Sequence, residues 1–141
     1  MTPDAIRRVR AGFDRLADDA AGLADAFYTR LFEREPGLRA YFKTEPTVQG
    51  AKLVAMLGHV VDRLDDLDSV LDDVRALGIR HVAYGVKPHH YDIVGAALLD
   101  VLEARLEPAF DDRARAAWAE AYNLLAEAMI TAAAEVSRSA A

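Results

Sequence analysis

The sequence predicts an all-α domain of six long helices and one short turn. Three observations carry that prediction. Apolar residues recur at the spacing of a helix with one buried face. The chain is rich in Ala, Leu, Glu, Asp and Arg and short of β-branched runs. Helix-opening signals, a capping residue or an early proline, stand at intervals along it.

Thr2-Pro3-Asp4 opens the first helix, with proline in the first turn, where a missing N–H costs nothing. The second begins at Asp19 and stops at Arg34, before Pro36. A short turn from Gly37 to Phe42 leads into the loop KTEP. Pro46 opens a helix to about Leu64, and Asp68 and Ser69 are placed to cap the next, which reaches about Tyr84. Pro88 begins a helix ending near Leu106. Asp111 caps the last, which contains Trp118 and ends near Val136. Residues 138–141, RSAA, are expected to fray. The whole of 1–141 forms one domain, long enough to enclose a single sizeable core.

Composition excludes several functions. Lys and Arg total 17 against 23 Asp and Glu, a net charge of −6, and no basic stripe invites nucleic acid or anionic membrane. No apolar run approaches the ~20 residues a bilayer requires. The start, MTPDAIRRVRAGF, lacks the apolar stretch of a signal peptide, so a cytoplasmic location is expected. The absence of cysteine removes disulfides, thiolate zinc sites, iron–sulfur clusters and thiol nucleophiles. No glycine-rich phosphate loop occurs.

Three polar residues fall on apolar faces. Val70, Val74, Leu77 and His81 share a strip about 60° wide, so His81 points the way the core points. Gln49, Leu53, Met56 and Val60 form a similar strip on the preceding helix. Tyr28 follows Ala24 on a face that also holds Leu31. Each alone reads as a hydrogen-bonded core residue or as a ligand-binding one. Together they place a nitrogen ligand, an amide and a phenol around one space, which suits something flat and apolar with a metal at its centre, such as heme.

The runs FYTRLFEREPGLRAYF, QGAKL, RHVAYGVKPHHYDIVGAALL and AWAEAYNLLAEAM resemble the bacterial globins: the globin domain of flavohemoglobins and its single-domain relatives. The most diagnostic piece is H-x9-Y-x2-VG, from His81 through Tyr91 to Val94 and Gly95. The resemblance spans about residues 4 to 137 and implies a three-over-three helical sandwich enclosing heme b, iron protoporphyrin IX. It makes His81 the axial iron ligand and Phe42 the aromatic wedged against the porphyrin. Tyr28 and Gln49 become the distal hydrogen-bonding pair, with Leu53 as the apolar wall. Tyr91 would hydrogen-bond on the proximal side, and Lys52 could reach a propionate. Leu57, Leu77, Val86, Val94 and Leu125 complete the heme-lining set.

One departure concerns the last helix. A glutamate that joins the proximal histidine and tyrosine in flavohemoglobins is matched here by Ala133, while Glu135 should face away. The electron push on the iron is then weaker. His81 stands apart from His89 and His90, which are expected to be solvated, and His59 is read as structural.

The function these residues imply is high-affinity binding of O2, and of NO and CO, at the heme iron. Two distal donors would hold O2 by about 1–3 kcal/mol each. Conversion of NO and bound O2 to nitrate would use an external electron-donating reductase. The alternatives are an O2 or NO store or sensor without turnover, and a heme-free helical interaction module.

Overall fold

The computed structural model describes residues 1–42 and 46–139. Lys43, Thr44 and Glu45 of the expected loop, and Ala140 and Ala141 of the expected tail, lie outside the described residues. The chain forms α1 (Pro3–Ala17), α2 (Ala20–Arg34), α3 (Pro46–Asp62), α4 (Leu71–Ala83), α5 (Pro88–Leu106) and α6 (Asp112–Ser139). Two 3-10 turns, Pro36–Tyr41 and Leu67–Ser69, join them, and no strand occurs among the described residues.

Helix starts obey local chemistry. The Thr2 hydroxyl accepts the Ala5 N–H at 3.1 Å, Asp19 that of Gly22 at 3.0 Å, and Asp111 that of Ala114 at 2.9 Å. Each such cap is worth about 1 kcal/mol. The expected cap at Asp68 and Ser69 does not form. The Ser69 hydroxyl instead donates back to the Asp66 carbonyl at 2.7 Å, and α4 follows Val70 as its N-cap without a side-chain cap bond. Val70 is only 1% exposed, so core burial rather than capping sets the start of α4. At the other end of the chain, α6 outlasts Val136, and Arg138 and Ser139 are still helical. An Arg75–Glu135 contact at 3.3 Å ties that last stretch to α4.

α1 packs on α3 and α6, α2 on α3 and α5, and α4 almost wholly on α6. These pairings form two layers of three, α1, α3 and α4 over α2, α5 and α6. Val9, Leu23, Leu31, Val70 and Leu102 are sealed between the layers. Asp100 on α5 locks α2 in register, accepting from Arg30 at 2.8 Å and Arg34 at 2.7 Å. α4 crosses α6 closely at Gly78, where a Cβ would lie 2.5 Å from the Met129 carbonyl oxygen. This contact sets where the C-terminal half of α4, with His81, can sit.

Candidate functional site

His81 lies in the last turn of α4, half-buried. Its Nδ1 is 2.8 Å from the Leu77 carbonyl oxygen. A carbonyl can only accept, so Nδ1 carries the proton and Nε2 keeps a free lone pair. Burial pushes the imidazole below its ordinary pKa, outweighing the Leu77 bond, so the ring is neutral at pH 7. A buried neutral imidazole oriented by a carbonyl is the arrangement of a metal-ligating histidine. Tyr91 stacks on it at 6.4 Å with 27° between planes, and Tyr84 meets it edge-on at 5.9 Å. Tyr91 thus lies on the His81 side as expected, while the Leu77 carbonyl takes the Nδ1 proton.

Tyr28 sits in an aromatic nest on α2. Its ring meets Phe27 at 5.1 Å, Phe42 at 5.3 Å and Phe32 at 6.1 Å. Burial pushes the phenol up to about 12, so it remains a donor at neutral pH. Its hydroxyl has no hydrogen-bond partner among the described residues. Nor is it sealed away, for the one sealed and orphaned side-chain atom among them is Trp118 Nε1. The hydroxyl therefore opens onto accessible space. Gln49 stands next to Gly50, where α3 meets α2: a Cβ on Gly50 would lie 2.6 Å from Ala24 Cβ and 3.7 Å from Tyr28 Cε2. Its half-buried amide likewise has no partner among the described residues.

The remaining apolar members of the expected set share one property. Phe42, Leu53, Leu57, Leu77, Val86, Tyr91, Val94 and Leu125 are all half-buried, neither core nor surface. Apolar side chains left half-covered on α3, α4, α5 and α6 suit a cleft wall rather than a packed core. Lys52 is exposed. A cavity of about 190 Å³ between α1 and the α5–α6 corner, lined by Gly12, Phe110 and Trp118, contains none of these residues. It is separate from the chemistry, a packing gap beside the indole.

His90 departs from expectation. It is buried at 7% exposure, not solvated. Sitting in the first turn of α5, it accepts the Lys87 N–H on Nδ1 at 2.9 Å while its own N–H donates to the Lys87 carbonyl at 3.0 Å. Its ring also packs on Tyr41 at 5.1 Å. Position within the first turn turned this side chain back to cap the helix. His89 is exposed, and His59 is exposed with Nε2 3.5 Å from Asp73. Ala133 is half-buried, and the Glu135 carboxylate meets Arg75 at the surface.

Sequence reasoning passed over Tyr122, whose hydroxyl donates to the Tyr91 carbonyl at 2.6 Å. Its ring fills the notch at Gly95, where a Cβ would come within 2.6 Å. Its spacing from Trp118 and Leu125 already placed it on the inward face of α6. That signal was available; the bond was not.

The globin family model matches residues 25–129. A flavohemoprotein of Vibrio cholerae is 27% identical over 133 residues, 92% of this chain and 34% of its own length. The chain thus spans about a third of the length of the flavohemoproteins it matches. Among solved structures, a bacterial globin from Campylobacter jejuni superimposes with TM-score 0.85 at 26% identity, over 97% of this chain and 99% of that one. An engineered carbene transferase, derived from a Rhodothermus marinus protein provisionally assigned as a nitric oxide dioxygenase, superimposes at 0.88 with 28% identity. That match covers 98% of this chain and 96% of the other.

Proposed function

The chain belongs to the globin family, and from that premise we propose that it holds heme b on His81 and binds a diatomic gas on the face guarded by Tyr28 and Gln49. The observation that carries this reading is the Leu77–His81 bond, which leaves one imidazole nitrogen free to ligate. The donor set fits heme. It offers one neutral nitrogen, a band of half-covered apolar side chains for the porphyrin, and two polar groups awaiting an acceptor.

Heme, when bound, would supply an iron able to take O2, NO or CO. The Leu77 carbonyl holds the proton on Nδ1 and makes Nε2 a better donor. Phe42, packed edge-on against Tyr28, excludes water and fixes the phenol. Tyr28 keeps its proton and donates it as a hydrogen bond to gas on the distal side, with Gln49 as second donor. Oxidation of NO by O2 to nitrate is the reaction that we assign, in a cytoplasmic setting: NO, O2 and one electron from a separate reductase together give NO3⁻. The provisional assignment of the Rhodothermus marinus neighbour supports the chemistry.

A second reading, a gas store or sensor without turnover, is favoured by one observation. The His81 proton rests on a neutral carbonyl, and Glu135 on α6, two positions beyond Ala133, meets Arg75 instead. The imidazole then pushes less electron density than one bonded to a carboxylate. An absorption spectrum taken reduced, oxygenated and under CO tests the common premise. Heme-free material that refuses hemin on titration would overturn both readings. Mixing the oxygenated form with NO, with and without a continuous reductant, separates them: nitrate beyond one equivalent marks the enzyme.

A further inference from the structure

We propose that the packing gap between α1 and the α5–α6 corner is a binding site for a small aromatic carboxylate, with Trp118 Nε1 as its buried hydrogen-bond donor and Arg15 as its counter-charge. The inference stands apart from the heme reading, because this gap and the candidate cleft share no residue among the described ones.

One face of α1 assembles half of the site. Arg8, Gly12 and Arg15 are four and three positions apart, so they lie along one side of the helix. All three line the gap, together with Leu106, Phe110 and Trp118. Trp118 is 3% exposed, and its Nε1 has no hydrogen-bond partner. A sealed N–H without an acceptor is costly, which is why nearly all buried donors are paired. Gly12 stands beside that atom: a Cβ there would lie 3.2 Å from Nε1 and 3.2 Å from Leu106 Cδ1. Glycine at this position keeps the space next to the donor free of side chain.

The volume sets the size of the occupant. An apolar void of about 150 Å³ admits benzene. The gap measures about 190 Å³, room for one ring and a small substituent. Charge sets the substituent. Two guanidiniums line the gap, and no carboxylate among the described residues does. Arg8 is already engaged, by Asp4 at 2.9 Å and by Asp111 at 3.6 Å. Arg15 is exposed and makes no ion pair among the described residues, so it is the cation left for a ligand. One carboxylate oxygen accepts from Nε1 while the other meets Arg15, and the ring lies against Phe110 and the indole. Water is the weaker occupant. It needs two to four polar partners, and the neighbours of Nε1 at Gly12 and Leu106 are carbon.

The test uses benzoate as the probe, on the purified protein carried to its diamagnetic CO form where it holds heme. Trp118 is the only tryptophan, so its indole N–H gives one resonance. Benzoate should move that resonance downfield in a saturating titration, with Kd of about 1 mM. The amides of residues 8–15 and 106–118 should move with it, and the Soret band should stay in place. Toluene should shift the same amides without the downfield move of the indole N–H, and acetate should shift neither. Arg15→Gln should weaken benzoate about tenfold and leave toluene unchanged. Gly12→Ala puts a methyl beside Nε1 and should abolish the indole shift. Should that variant fold poorly, Arg15→Gln decides alone, since its side chain is at the surface. An indole resonance unmoved at about ten times the expected Kd, or moved equally by acetate, would overturn the proposal. So would an unchanged benzoate affinity in Arg15→Gln, or amide shifts that map to α3 and α4 instead.

Discussion

Gly78→Ala should damage both stability and heme retention. An added methyl would lie 2.5 Å from the Met129 carbonyl oxygen, 2.6 Å from its Cα and 2.9 Å from its carbonyl carbon. Heavy atoms in comfortable contact sit about 3.5 Å apart, so the overlap is about 1 Å. All three opposing atoms are backbone, and no side-chain rotation relieves the clash. α4 must back away from α6, and overpacking of this kind costs about 1–3 kcal/mol. We take the upper end. Unfolding entropy of ~2.1 cal/mol/K per residue, over this chain, converts ~3 kcal/mol to a fall of about 10 °C in Tm. His81 lies three residues on in the same helix, so heme should also leave faster. Melting curves of heme-free and heme-loaded protein, with transfer of heme to a scavenging apoprotein, measure both effects. Gly37→Ala is the control: its added methyl meets only the end of Glu35, at 3.4 Å, and should change little. A Gly78→Ala protein that melts within about 1 °C of the parent and keeps its heme would refute the reasoning.

Other perturbations have equally definite outcomes. Tyr28→Phe removes a hydrogen-bond donor and should speed O2 release about tenfold in a stopped-flow displacement; an unchanged rate would remove Tyr28 from the distal role. Because burial holds that phenol up to about 12, O2 release should show no step from Tyr28 ionisation between neutral pH and about pH 10. His90 is held below its ordinary value of 6.5 by burial, then by the His89 and Lys87 charges, against an opposing pull from Glu35. The unfolded chain therefore takes up this proton first, and stability falls as pH drops from about 6.5 toward the native value. His90→Asn, whose amide oxygen can accept the Lys87 N–H, should flatten that part of the profile in urea titrations; an unaltered slope would acquit His90. Asp100→Asn should cost about 1–2 kcal/mol at pH 7. Burial works against the Asp100 carboxylate, but Arg30 and Arg34 outweigh it and hold its pKa below the usual 3.8. The gap from the parent should therefore close as pH falls through that range.

The sequence by itself determined the helices and the faces on which the candidate site residues lie. Asp111 caps where expected, Thr2 and Asp19 cap helices that the sequence starts there, and Pro46 and Pro88 open α3 and α5, because capping and proline geometry act within one turn of chain. The inward placement of Tyr28, Gln49 and His81 followed from helical period alone, since a face is a local property. Contacts between elements were decided only in three dimensions. His90 looked like a solvated residue until Tyr41, from a different element, covered it. Ser69 looked like a cap until burial of Val70 started α4 without one. The Tyr122 bond to Tyr91, the Gly78 crossing and the Arg75–Glu135 tie all join residues more than 30 positions apart. Periodicity states which way a side chain points. What it meets there depends on the path of the whole chain.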